Sequence, residues 1–97
     1  MIKIGIEFIG FPMIYDLFPE GAHPCTLSGE TVAQLVLDLI SRNGSRIQEA
    51  LLDPRTGELD PAIQIGINGK FISRDQIPRQ KIEDGDKVTF FRLLAGG

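Results

Sequence analysis

The chain holds one cysteine, Cys25, and one histidine, His23, in 97 residues. A single thiol excludes an internal disulfide framework and a cysteine-ligated iron–sulfur cluster. With one imidazole and one thiol there is no metal-spaced ligand set and no convincing internal catalytic constellation. Cys25 reads most simply as a small edge-strand or core residue. There is no Lys/Arg cluster, so neither nucleic acid nor a membrane surface is expected as a partner. No apolar run approaches the roughly 20 residues of a membrane span. The opening Met1-Ile2-Lys3-Ile4 enters an alternating pattern at once, without a signal-peptide layout, and a cytoplasmic location is expected.

What is there suits one soluble α+β domain. Apolar residues make up 42% and charged residues 24%, with ten basic and thirteen acidic side chains giving a formal charge of −3. The length allows one domain, residues 1–97, with one modest core. Ile2, Ile4, Ile6 and Phe8 alternate, marking a strand with one buried face, and Gly10 and Pro12 stop it. Residues 11–22 carry Phe11, Met13, Ile14, Tyr15, Leu17 and Phe18. They form either a short helical turn over one end of the sheet or an exposed contact surface. Residues 23–28 read as a second strand, with His23, Cys25 and Leu27 on one face. Pro24 restricts that strand to a sheet edge.

Thr31 opens the clearest helix. Thr31 and Gln34 fit a capping box, and Val32, Leu35, Val36, Leu39 and Ile40 form one apolar stripe. Gly44 stands where a left-handed cap belongs. Ser45 with Gln48 repeats the capping pattern and predicts a second short helix through Leu52, ended by Asp53-Pro54. Residues 55–61 read as a surface turn. Ile63, Ile65 and Ile67 mark a third strand. Asn68-Gly69 signals a hairpin, with residues 70–73 as its return strand. Residues 74–81 are polar, residues 83–86 form a tight turn, and residues 87–93 are the last strand. One sheet of four to five strands with one main helix across it follows. The first and last strands pair in parallel at its centre.

Alternation also sorts the aromatic residues. Val88 and Phe90 take the inward face of the last strand, so Thr89 and Phe91 point outward. The hairpin places Phe71 outward as well. Two phenylalanines on the open face, beside the end of the chain, are either a docking patch or part of a covered edge. Beyond them run Arg92, Leu93, Leu94, Ala95, Gly96 and Gly97. Terminal glycines form neither helix nor strand well. They can fray, or they can thread a narrow channel and carry a carboxylate to a reacting atom.

Three stretches together carry a resemblance. Ile67-Asn68-Gly69-Lys70, the run Ile82-Glu83-Asp84-Gly85-Asp86-Lys87-Val88-Thr89-Phe90-Phe91, and the final Ala95-Gly96-Gly97 resemble the small subunit of molybdopterin synthase. The chain is similar also to the thiamine-pathway sulfur carrier and to ubiquitin-related modifiers. The resemblance implies a β-grasp, ubiquitin-like fold with residues 93–97 as a flexible C-terminal tail. It implies a sulfur carrier in molybdopterin synthesis, for a molybdenum or tungsten cofactor, rather than a catalyst in its own right. An adenylating enzyme like the ubiquitin activators would use ATP and magnesium to activate the Gly97 carboxylate, with Gly96 leading it in. A sulfur donor would convert the adenylate to a thiocarboxylate for the synthase large subunit or another acceptor. No cofactor is expected on the chain itself. Phe91, Phe71, Arg92, Leu93, Leu94 and Ala95 match positions that meet the partners. The molybdopterin-type tail usually carries a Pro-Pro pair where Arg92-Leu93 stands here. That difference leaves open a ubiquitin-like modifier, a carrier for thiamine or another sulfur-containing product, and a plain β-grasp interaction module.

Overall fold

The alternation of residues 2–9 builds strand β1 (Ile2–Ile9), which buries Ile4, Ile6 and Phe8 and exposes Lys3. The structure is a computed structural model and describes residues 1–93. At Gly10 the backbone takes φ +86° and enters a 3-10 turn over Pro12–Ile14. Both open readings of residues 11–22 hold in part. Phe11 and Ile14 are fully buried, and Phe8 packs edge-on against Phe11 with ring centroids 5.4 Å apart. Met13, Tyr15 and Leu17 remain exposed. Arg46 clamps this segment, donating to both Asp16 carboxylate oxygens at 2.6 Å and to the Met13 carbonyl at 2.7 Å. That bond holds the Asp16 carboxyl below the ordinary carboxylate range and raises the Arg46 guanidinium.

Strand β2 (His23–Leu27) lies antiparallel to β1 at one edge of the sheet. Helix α1 (Val32–Asn43) starts at the expected capping box. Gln34 N–H donates to Thr31 Oγ1 and Thr31 N–H to Gln34 Oε1, both at 3.2 Å. Val32, Leu35, Val36 and Leu39 are buried, and Ile40 packs beside them, partly buried. The Ser28 N–H and hydroxyl both donate to Asp38 on α1 and hold its carboxyl below the ordinary range. Arg42, one turn further, donates to the Thr26 carbonyl on β2.

Gly44 does take a positive φ of +78°, but its ψ of −152° lies outside the left-handed helical region. It also serves as N-cap of α2 (Ser45–Leu51), where no side-chain cap bond forms. The expected Ser45 cap is therefore absent. A single residue separates the two helices: the Gly44 carbonyl accepts the Gln48 N–H at 3.3 Å, so Gly44 holds the N-cap place and Ser45 is already helical.

Strand β3 (Ile63–Ile67) turns into β4 (Lys70–Phe71) through Asn68 and Gly69, whose φ values are +52° and +86°. Asn68 also ties the hairpin to the next strand. Its amide donates to Asp86 Oδ1 and its Oδ1 accepts the Lys87 N–H, both at 2.9 Å. The return strand is shorter than residues 70–73. Ile72 N–H still reaches the Ile65 carbonyl at 2.9 Å, but the chain then turns at Ser73. The Arg74 guanidinium takes the place of further strand, donating to the Ile63 carbonyl at 2.8 Å and to the Leu59 carbonyl. Residues 74–81 are not simply polar connection: they hold a 3-10 turn, Ile77–Arg79, with Ile77 buried.

Strand β5 (Lys87–Arg92) runs through the middle of the sheet, parallel to β1 and antiparallel to β3. The order is β2-β1-β5-β3-β4. Apolar residues of α1 and α2 close over Ile4, Ile6, Phe8, Ile63, Ile65, Val88 and Phe90. This is the β-grasp arrangement of an α+β domain: a mixed five-stranded sheet grips one main helix and one short one. No helix among the described residues is long and apolar enough to cross a membrane.

Candidate functional site

The site is the outer face of the sheet where β5 ends. Register sets it. Phe90 pairs with Phe8 on the inner face, their rings stacked 4.9 Å apart, and Phe90 is fully buried. The next residue, Phe91, must point the other way. Gly66 on β3 lies opposite both Thr89 on β5 and Phe71 on β4. A Cβ there would stand 3.7 Å from the Phe91 ring, in ordinary contact, so Gly66 lies directly beneath the diagonal between the two phenylalanines. The Phe71 and Phe91 rings meet across it with centroids 5.2 Å apart at 58°.

The two phenylalanines expected on one face are thus in contact, but not equal. Phe71 is 64% exposed, whereas Phe91 is half-buried. Ile9, opposite Phe91 in the register, is exposed, and so is Leu93. Four apolar side chains therefore gather around the point where the chain leaves the sheet. At the other end of the same face Lys87 Nζ pairs with Glu7 at 3.0 Å, giving the apolar end a charged margin.

Arg92 does not share that face. Its guanidinium lies 3.9 Å from Asp60 and 3.4 Å from the Ala50 carbonyl. Leu93 donates its N–H to the Ala62 carbonyl at 2.9 Å, continuing the β3–β5 ladder by one bond. On the other side Gly10 comes so close that a Cβ would stand 2.5 Å from the Arg92 carbonyl oxygen. Leu94, Ala95, Gly96 and Gly97 lie outside the described residues.

Sequence reasoning gave no site role to Ile9, Gly66, Gly10 or Asp60. Ile9 could have been found, because the alternation that buries Phe8 turns Ile9 outward. The roles of the two glycines and of Asp60 depend on register between distant segments, which no local pattern carries. Elsewhere, Cys25 is partly buried and lies 3.5 Å from the Arg42 guanidinium. Among the described residues no group of three or more His, Cys, Asp or Glu could hold a metal. A recess of about 460 Å³ lies between α1, the loop after α2 and the Ile77 turn. Its walls include Val36, Leu37, Leu59 and Pro78, away from the end of β5.

The strand order, with β1 and β5 parallel at the centre and one main helix gripped across the sheet, defines a ubiquitin-like β-grasp protein. A profile of the ThiS family matches residues 21–97. The chain belongs to the ThiS family of ubiquitin-like sulfur carriers. No curated protein sequence matches it. Solved structures that resemble it include SAMP1 of Haloferax volcanii, with 16% identity, 98% of this chain and 99% of that one covered, and a TM-score of 0.73. A chain of the BexX/CysO complex of Amycolatopsis orientalis gives 19% identity, coverages of 97% and 99%, and a TM-score of 0.71. A Pyrococcus furiosus protein described as a candidate molybdopterin converting factor, subunit 1, gives 19%, 97%, 100% and 0.62. At these identities the three likenesses establish the fold alone.

Proposed function

We propose that this chain carries sulfur on Gly97 for molybdopterin synthesis. The observation that supports the sulfur-carrier part of the reading is the family match, which spans residues 21–97; the molybdopterin part rests on the resemblance of residues 67–70 and 82–91 to the synthase small subunit. The placement of the apolar patch supports it, since Phe71 and Phe91 adjoin the point where the tail departs. The chemistry is consistent with a backbone that ends without side chains. An activating enzyme binds Mg-ATP, and the Gly97 carboxylate attacks its α-phosphorus and expels pyrophosphate. The resulting acyl-adenylate has a good leaving group, which a carboxylate lacks. Hydrosulfide, the simplest sulfur donor, attacks the carbonyl, the bond to the phosphate oxygen breaks and AMP departs, and loss of the thiol proton leaves a thiocarboxylate. That sulfur is a stronger nucleophile than the oxygen it replaced, and glycine offers no Cβ to obstruct either attack. Phe71 and Phe91 dock the activating enzyme, and the synthase large subunit receives the tail.

Arg92-Leu93 favours a second reading, a ubiquitin-like modifier. The same adenylate would then be resolved by a lysine amine, giving an isopeptide bond. Untagged protein incubated with ATP, a matched activating enzyme and a sulfur donor decides between them by intact mass. The expected product is heavier by one oxygen-to-sulfur exchange localised to Gly97. Conjugates to larger proteins without that product would support the modifier. Full function in a chain lacking Gly97 would overturn both and leave an interaction module.

A further inference from the structure

The side chain of Arg92 is bound within the fold at the base of the tail. Alternation turns it to the same side as the fully buried Phe90, where a cation needs partners to offset lost hydration. Ala50 supplies one. Its carbonyl belongs to the last turn of α2, where carbonyls lack helical donors and a positive charge is favoured. Asp60 supplies the other and is itself held firmly. Its N–H donates to the Leu51 carbonyl at 2.8 Å, and its carbonyl accepts the Ile63 N–H at 3.0 Å. Its Oδ1 accepts the Ala62 N–H at 2.8 Å, leaving Oδ2 towards Arg92. One residue on, Leu93 bonds to Ala62, and Gly10 presses on the Arg92 carbonyl from the β1 side.

We propose that Arg92 is a positioning residue: anchored on Ala50 and Asp60, it holds the end of β5 in place as far as Leu93 and so fixes the point from which the following residues reach a partner's reaction centre. Its role towards the partner rests on the sulfur-carrier reading; the anchoring itself does not. A fixed exit removes conformational freedom before docking, so less must be lost when the carboxylate is brought to the reacting phosphorus.

The test compares the full chain with Arg92→Met, Arg92→Lys and Asp60→Asn. Amide hydrogen exchange of Leu93 is read against Thr89, in the middle of β5. ATP–pyrophosphate exchange is then measured with the matched activating enzyme. Arg92→Met and Asp60→Asn should speed Leu93 exchange by about fivefold, the scale of one partly exposed ion pair, with Thr89 unchanged. With the enzyme, kcat should fall while KM stays constant, because the docking patch is untouched. Arg92→Lys should restore most of both. A raised KM with unaltered Leu93 exchange would overturn the proposal and make Arg92 a direct contact. Unaltered exchange and kinetics in every variant would also overturn it. If the unsubstituted chain supports no pyrophosphate exchange at all, the carrier reading fails, and Leu93 exchange alone then decides the anchoring.

Discussion

Phe8–Phe90 and Phe71–Phe91 are two aromatic pairs of similar spacing on opposite faces of one sheet. The first has rings stacked 4.9 Å apart, with both side chains in the core. The second has rings 5.2 Å apart, with one side chain open to solvent. Phe90 and Phe91 are neighbours in sequence, so composition and local propensity cannot separate them. What separates them is the helix: α1 covers one face, whereas the other is covered only by its own side chains, with Thr89 buried and Phe91 half-buried among them. Burial of Phe90 stabilises the chain directly. The outer pair contributes less to folding and leaves apolar surface that another protein can cover.

The sharpest way to break this contrast is truncation on each face. Phe90→Ala should cost roughly 3–5 kcal/mol, because it leaves a cavity against Phe8 in a fully buried site. Equal losses from Phe90→Ala and Phe91→Ala in urea unfolding would refute the assignment of faces. Next in size is Gly10→Ala, at about 2 kcal/mol, because alanine is strained at that positive φ and its Cβ would meet the Arg92 carbonyl. Thermal unfolding reads the loss; a neutral result would show that β1 can move away from the exit. Phe91→Ala and Phe71→Ala should each change stability by no more than about 1 kcal/mol while weakening capture by the activating enzyme. Titration calorimetry against that enzyme checks the second half.

The smallest effect concerns acid. Asp38 and Asp16 titrate below their ordinary value when folded, chiefly through the Ser28 N–H in one case and the Arg46 guanidinium in the other. A depressed carboxylate stabilises the fold above the unfolded-state value and loses that contribution as pH falls through the folded-state one. Stability should therefore drop on acidification below the ordinary carboxylate value of 3.8. Asp38→Asn should flatten that drop in a series of melting curves. An unchanged acid limb would show that the Ser28 bonds do not persist in solution.

The parts of this fold legible in sequence are those with a period. Residues 2–9 repeat every second position, residues 32–40 follow a helix, and Asn68-Gly69 has few conformational alternatives. These fixed β1, α1 and the hairpin, and with them the facing of Phe71 and Phe91. Ser45 misled because a capping pattern says nothing about whether a non-helical residue is available before it. Residues 72–73 misled because Arg74, rather than backbone, completes the edge of β3. The 3-10 turn around Ile77 has one apolar residue and no period at all. The anchoring of Arg92 was illegible for a related reason. Asp60 lies 32 positions earlier, and only the antiparallel register of β3 and β5 brings the two together.

The arginines at the sheet margins have a kinetic consequence. Arg42 occupies the Thr26 carbonyl on β2, and Arg74 occupies the Ile63 carbonyl on β3. One backbone acceptor on each of these strands that could help to zip on a second chain is thus already engaged. Association is thereby steered to side-chain contact on the open face, which can be released without unpicking a cooperative run of backbone bonds. On the sulfur-carrier proposal, short residence times would be expected, and a chain loaded at one protein and unloaded at another would turn over faster for them.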